Sequence, residues 1–89
     1  MKIWVDDKEP APKHRGFNWQ CKSVNQVKGI LERIEYLKQL YIGTDYKSIE
    51  IELLDIDYDL GEYVEDGGTS IQFIEWLKDY GYNFPISIH

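Results

Sequence analysis

The chain has 89 residues, enough for one domain, and a formal net charge of −6. This acidic balance argues against general DNA binding and against binding to anionic membranes, because such proteins usually carry a basic face. Cys21 is the only cysteine, so an intramolecular disulfide and a cysteine-based zinc site are excluded. We therefore expect a single domain over residues 1–89, without a membrane span, in the reducing cytoplasm.

The first half of the chain predicts two strands and a helix. Residues 2–5 are mostly apolar, as in a strand covered on both faces, and prolines then make residues 8–16 a loop. Residues 17–21 alternate between apolar and polar, which is typical of an edge strand. A capping-box pattern at Ser23 and Gln26 starts an amphipathic helix that we expect to run to about Tyr41, with Gly43 as its stop.

The second half predicts a central strand over residues 48–56, a second helix and a last short strand. An acidic loop over residues 61–68 leads into another capping-box pattern at Thr69 and Gln72. Gly81 ends this helix, and residues 86–88 form the last strand. Strands that alternate with helices favour right-handed crossovers and a parallel sheet. We therefore predict a small three-layer α/β fold, with a parallel sheet of about four strands in the order 2-1-3-4 and two helices.

Acidic residues follow two strands that this order makes neighbours. Asp6 and Asp7 close the first strand, whereas Asp55, Asp57 and Asp59 close the third. Carboxylates this close repel one another, so either one takes up a proton or a cation neutralises the set, and oxygen ligands favour Mg²⁺, with Mn²⁺ or Ca²⁺ as alternatives. Aspartates at strand ends are also common turn formers and helix caps, an alternative that stays open, above all for Asp59.

His89 ends the last predicted strand beside the same crevice, where it can reach a metal-bound phosphate. A frayed terminal position is the alternative. We therefore predict Asp6, Asp7, Asp57 and Asp59 as metal ligands, and His89 as a catalytic residue of the same site.

Four segments together resemble the cyclic-phosphate-processing receiver-like family, a reduced relative of the response-regulator receiver domain. They are Lys-Ile-Trp-Val-Asp-Asp at residues 2–7, Pro-Ala-Pro at 10–12, Ile-Asp-Tyr-Asp-Leu-Gly at 56–61 and Ile-Ser-Ile-His at 86–89. The resemblance implies a receiver-like (flavodoxin-like) sheet and a Mg²⁺ held by the first acidic pair and the strand-three aspartate. It also implies that Asp57 is a catalytic residue that engages phosphate, either as a nucleophile or as a metal ligand. The implied substrate carries a cyclic phosphate, with RNA ends as a suggested source.

The chain departs from the family pattern at several positions. Glu9 stands where the family usually has Arg, and Tyr58 stands where it usually has His. The family normally continues past the last strand with a His-Ser-x-Asn segment, whereas this sequence stops at His89. A second register puts Asp55 in the phospho-acceptor place, although Asp57 also aligns the following Leu-Gly.

Two functions follow from these patterns. The first is a Mg²⁺-dependent phosphoesterase that acts on a phosphate-bearing small molecule or an RNA end. The second is a catalytically degenerate, receiver-like regulatory module that binds a partner, for example as a homodimer through an open edge strand. A third reading, an acidic mimic of nucleic acid, is disfavoured because half of the acidic residues are focused in two segments rather than spread in a row.

Overall fold

A computed structural model describes residues 1–40 and 50–89 of the chain, and in them four strands and two α-helices. The elements are β1 (Lys2–Val5), β2 (Trp19–Cys21), α1 (Val24–Leu40), β3 (Leu53–Ile56), α2 (Ser70–Asp79) and β4 (Ile86–Ile88). All four strands are parallel and lie in the order β2-β1-β3-β4, which confirms the predicted receiver-like α/β topology. Short 3₁₀ turns lie between β1 and β2 and between β3 and α2.

The main hydrophobic core lies on one face of the sheet. Alternate residues of β1 and β3 point to this face, because successive side chains of a strand project to opposite sides. Ile3 pairs in register with Leu54, and Val5 with Ile56, and all four are fully buried. Both helices cover them, since the same cluster contains the buried side chains Val24, Val27 and Leu31 of α1 and Phe73 and Leu77 of α2.

The opposite face is covered by the segment that joins β1 to β2. Trp4 on this face donates its indole N–H to the Glu9 carbonyl at 2.8 Å. Phe17 packs against it in a T-shaped pair, with ring centroids 5.3 Å apart. Pro10 and Pro12 lack the backbone N–H that a helix would need here. The third layer of the fold is therefore a loop with one 3₁₀ turn, at Lys13–Arg15, where a helix would otherwise lie.

Several boundaries differ from the sequence predictions. Strand β2 begins at Trp19, not at residue 17. Before it, the Lys2 N–H donates to the Asn18 side chain at 2.8 Å instead of to a backbone carbonyl. Strand β3 is only four residues long. The predicted helix end at Tyr41, the stop at Gly43 and the predicted start of β3 at residue 48 lie outside the described residues.

The two predicted capping boxes differ from each other in how completely they form. Thr69 and Gln72 form the predicted reciprocal pair at α2. At α1 half of the predicted pair is present, since the Gln26 N–H donates to the Ser23 hydroxyl oxygen at 3.3 Å. The Gln26 side chain instead accepts the N–H of Lys22 at 2.6 Å, one residue before the predicted partner.

Within the described part of the chain, no helix is both long and apolar enough to cross a bilayer.

Candidate active site

Residues at the carboxyl ends of β1, β3 and β4 lie together at one edge of the sheet, which we call the rim. Their side chains project to the face opposite the helices. Trp4 and Asp55 are register partners on this face, and two residues further on the same alternation brings Asp6 from β1 and Asp57 from β3. The ladder continues past the strand ends, since the Asp57 N–H donates to the Val5 carbonyl at 2.7 Å. His89 is held in the same way, because its N–H donates to the Ile56 carbonyl at 3.0 Å. Backbone pairing thus fixes the positions of the rim residues.

The His89 ring lies between two buried carboxylates. Its Nε2 is 3.0 Å from Oδ2 of Asp6, and its Nδ1 is 2.6 Å from Oδ1 of Asp55. The ring also stacks on Trp4, with centroids 4.0 Å apart and an angle of 13° between the planes. The His89 side chain is 29% exposed, whereas each carboxylate is 4% exposed. His89 is therefore the member of this group that a ligand reaches from solvent.

The two carboxylates have different partners. Oδ1 of Asp6 accepts the backbone N–H groups of Lys8 and Glu9, both at 2.9 Å, as in an Asx turn. Within residues 1–40 and 50–89, the side-chain partners of Asp55 are His89 and Arg15, whose Nη2 is 3.4 Å from Oδ2. Besides His89, Asp6 thus accepts hydrogen bonds from backbone N–H groups, whereas Asp55 accepts one from the Arg15 side chain.

These contacts shift the pKa values of the site. Burial alone would lower the pKa of His89, but its hydrogen bonds to Asp55 and Asp6 and their negative charges raise it above the ordinary value. Burial would raise the pKa of Asp6, yet the N–H groups of Glu9 and Lys8, together with His89, lower it below the ordinary value. The site therefore favours an imidazolium next to an ionised carboxylate.

The predicted site residues fall into two groups. Asp6, Asp57 and His89 each offer one ligand atom, and these three atoms lie within 4.8 Å of one another. Asp7 and Asp59 instead lie around the turn at Gly61. Oδ1 of Asp59 accepts the Gly61 N–H at 2.8 Å, and Oδ2 of Asp7 lies 2.6 Å from where a Cβ on Gly61 would be.

The turn at Gly61 borders an open pocket of about 330 Å³. Asp7 lines it together with Lys8, Glu62 and Tyr63. The structure thus gives Asp7 surroundings different from those of Asp6, although the two are adjacent in sequence.

The oxygen atoms of the first group fit a small, hard cation. Asp6 and Asp57 come from different strands and supply carboxylate oxygens at one rim, and Mg²⁺ typically uses one or two carboxylates and keeps several waters. One Asp57 oxygen accepts the Asp59 N–H at 3.3 Å, and the other has no hydrogen-bond partner among residues 1–40 and 50–89. The chemistry of these donors therefore agrees with the predicted metal.

The sequence analysis missed the contacts that three further residues, Trp4, Arg15 and Asp55, make at the site, and it considered Asp55 only as an alternative phospho-acceptor. Strand alternation signals two of them, since Trp4 and Asp55 stand two residues before Asp6 and Asp57. Arg15 carries no such signal, because its position beside Asp55 depends on how the loop folds over the sheet.

Comparison with known proteins agrees with this geometry. The family model described as Cyclic-phosphate processing Receiver domain matches residues 1–89. Among curated proteins and among solved structures, no match to the chain reaches significance. The family match spans every strand and every rim residue described above, and by it the chain belongs to the cyclic-phosphate processing receiver domains.

Proposed function

We propose that this domain binds Mg²⁺ and a phosphate group at the rim formed by Asp6, Asp57 and His89, and that it hydrolyses a cyclic phosphate ester there. The observation that carries the proposal is the convergence of these three side chains within 4.8 Å, although they are far apart in sequence. They meet at the carboxyl ends of parallel strands, which is where open α/β sheets bind their ligands.

The charge of the rim supports a cation in this site. Phosphate is an anion, and an acidic rim without a metal would repel it. Asp6 and Asp57 would hold the Mg²⁺, which supplies positive charge that polarises a phosphate oxygen. The family membership of the chain supports the choice of cyclic phosphate as the substrate class.

His89 and Asp57 would carry the proton transfers. In the proposed hydrolysis a water oxygen bonds to phosphorus, and the bond from phosphorus to one ring oxygen breaks. The Asp57 carboxylate accepts the proton of the water, and His89 donates the proton on Nε2 to the leaving oxygen. This assignment suits His89, because it is the exposed member of the group and its pKa is raised.

The decisive experiment is turnover of a 2′,3′-cyclic nucleotide in the presence of Mg²⁺. We expect Asp57→Asn to lower the rate by about 10²–10³-fold, as when a key electrostatic contact of a transition state is lost. Glu62→Gln is the matched control, since it removes an exposed carboxylate near Gly61 and should keep the wild-type rate. Equal rates for wild type and Asp57→Asn would reject the catalytic proposal.

A calorimetric Mg²⁺ titration tests the metal separately. Asp6→Asn and Asp57→Asn should each weaken binding, whereas Asp7→Asn should not, because Asp7 lies against Gly61. If Asp7→Asn alone loses Mg²⁺ binding, the ion binds in the pocket beside Gly61 and not at the rim.

A second candidate function, a partner-binding module, is favoured by the edge of the sheet. Strand β4 pairs with β3 on one side and is last in the strand order, and Ile88 on it is 48% exposed. An edge strand offers unpaired backbone groups to another chain. Sedimentation analysis tests this function: a dimer that Ile88→Lys dissociates supports it, and a monomer at all concentrations rejects the homodimer.

A further inference from the structure

We propose that Asp55 is a positioning residue, which holds His89 by a proton on Nδ1 and so directs Nε2 towards Asp6 and Asp57. The inference rests on the proposed function for its consequence in catalysis. The placement of the His89 proton is a separate property, which can be measured without any substrate.

Among the described residues, the contact with Asp55 is the shorter of the two hydrogen-bond contacts that the His89 ring makes. The Nδ1 atom is 2.6 Å from Asp55, against 3.0 Å between Nε2 and Asp6. Asp55 is buried and lies inside β3, so its own position is set by the central sheet. A carboxylate on one ring nitrogen of a histidine fixes the orientation of the ring and leaves the other nitrogen for chemistry.

The surroundings of the two carboxylates decide which nitrogen keeps the proton when the ring is neutral. If the Nε2 proton leaves, Asp6 still accepts two backbone N–H groups, from Lys8 and Glu9. If the Nδ1 proton leaves, Asp55 retains among the described residues only Arg15, which is 44% exposed and 3.4 Å away. A buried carboxylate without adequate donors is costly, so the neutral ring keeps its proton on Nδ1.

Trp4 restrains the remaining freedom of the ring. The His89 and Trp4 planes are nearly parallel, 4.0 Å apart between centroids. Trp4 is itself held by its hydrogen bond to the Glu9 carbonyl and by T-shaped packing with Phe17. The indole therefore limits the tilt of His89, while Asp55 sets its rotation within the plane.

Nitrogen-15 NMR of the imidazole, recorded at alkaline pH without metal, tests the placement of the proton. Comparison with a His14→Gln variant assigns the signals, since His14 and His89 are the two histidines of the chain. We expect the Nδ1–H tautomer for wild-type His89. We expect Asp55→Asn to shift it to Nε2–H, because Arg15 would bind the amide oxygen and turn the amide N–H towards Nδ1.

The second readout is turnover of the cyclic nucleotide. Asp55→Asn should lower kcat by about 10²–10⁴-fold, the range typical of a lost acid–base group, and leave KM nearly unchanged because Asp55 does not touch the substrate. Asp79→Asn, on the exposed side of α2, is the matched control and should leave both the tautomer and kcat unchanged.

The outcomes separate the two proposals. An Nε2–H tautomer in the wild type, or an unchanged tautomer in Asp55→Asn, would overturn the role of Asp55 whatever the activity. If Asp55→Asn does not fold, the tautomer of wild-type His89 still tests the role of Asp55, since Nδ1–H supports that role and Nε2–H overturns it. An inactive wild type that shows the Nδ1–H tautomer would reject the proposed hydrolysis while supporting the positioning of His89.

Discussion

Replacing His89 by Ala should destabilise the domain, although His89 lies at the rim of the sheet. The substitution removes the imidazolium that lies between Asp6 and Asp55. Both carboxylate side chains are 4% exposed, so water replaces the lost partner poorly. The expected result is therefore a loss of stability that exceeds the usual effect of a change at a partly exposed position.

The size of this loss follows from the two contacts. A hydrogen bond to a charged group contributes about 1.5–3 kcal/mol. The Asp6 contact counts for less, because two backbone N–H groups continue to satisfy that carboxylate. The Asp55 contact counts nearly in full, because Arg15 is 3.4 Å away and partly exposed. We expect a decrease of about 2–3 kcal/mol in the free energy of unfolding, or roughly 10–20 °C in Tm.

Urea unfolding at mildly acidic pH without metal measures this decrease directly. His14→Ala is the matched control, since it removes an exposed histidine of the loop and should change stability by less than about 0.5 kcal/mol. A double-mutant cycle with Asp55→Asn should show a coupling of about 1 kcal/mol or more. A loss below about 0.5 kcal/mol for His89→Ala would refute the claim that the imidazolium stabilises the two carboxylates.

Three further predictions concern pH, the turn at Gly61 and the cap of α2. The raised pKa of His89 adds stability that is complete below its ordinary value of 6.5 and is lost as pH rises through the raised value. The lowered pKa of Asp6 adds stability that is complete above its ordinary value of 3.8 and is lost as pH falls through the lowered value. Urea midpoints should thus be highest between the two ordinary values, from pH 3.8 to pH 6.5, and a midpoint that does not change with pH would contradict both shifts. Gly61→Ala should cost about 1–2 kcal/mol in urea unfolding, because φ is 57° and the new Cβ meets Asp7; Asp7→Ala should relieve only the contact, so full recovery in the double variant would exclude backbone strain. Thr69→Ala should cost about 1 kcal/mol and speed amide exchange in the first turn of α2, and unchanged exchange would show that the cap is dispensable.

The topology follows from sequence because each element carries its own signal. Alternating polarity, the capping residues at Thr69 and the order of strands and helices suffice for a parallel sheet in the order observed. The length of β3 is not determined in this way, since pairing with β1 and β4 sets which residues join the ladder. The loop layer over Trp4 is likewise a tertiary feature, signalled only by two prolines that exclude a helix.

The site is predictable to the extent that it depends on strand ends. Asp6, Asp57 and His89 meet because parallel strands bring their carboxyl ends to one rim. The separate surroundings of Asp7 depend on the left-handed turn at Gly61, which the sequence signals only weakly. The contact of Arg15 with Asp55 joins residues 40 positions apart and depends on the packing of a loop, which no local pattern specifies.

The contact between Asp6 and His89 spans 83 positions of the chain, from the central strand to an edge strand of three residues. Short edge strands are among the first elements to open in native-state fluctuations. If β4 detaches from β3, the rim loses His89 and with it one of its three converging side chains. A bound ligand that touches both Asp6 and His89 should therefore slow hydrogen exchange along β4 more than in α2, and so link occupancy of the rim to closure of the sheet edge.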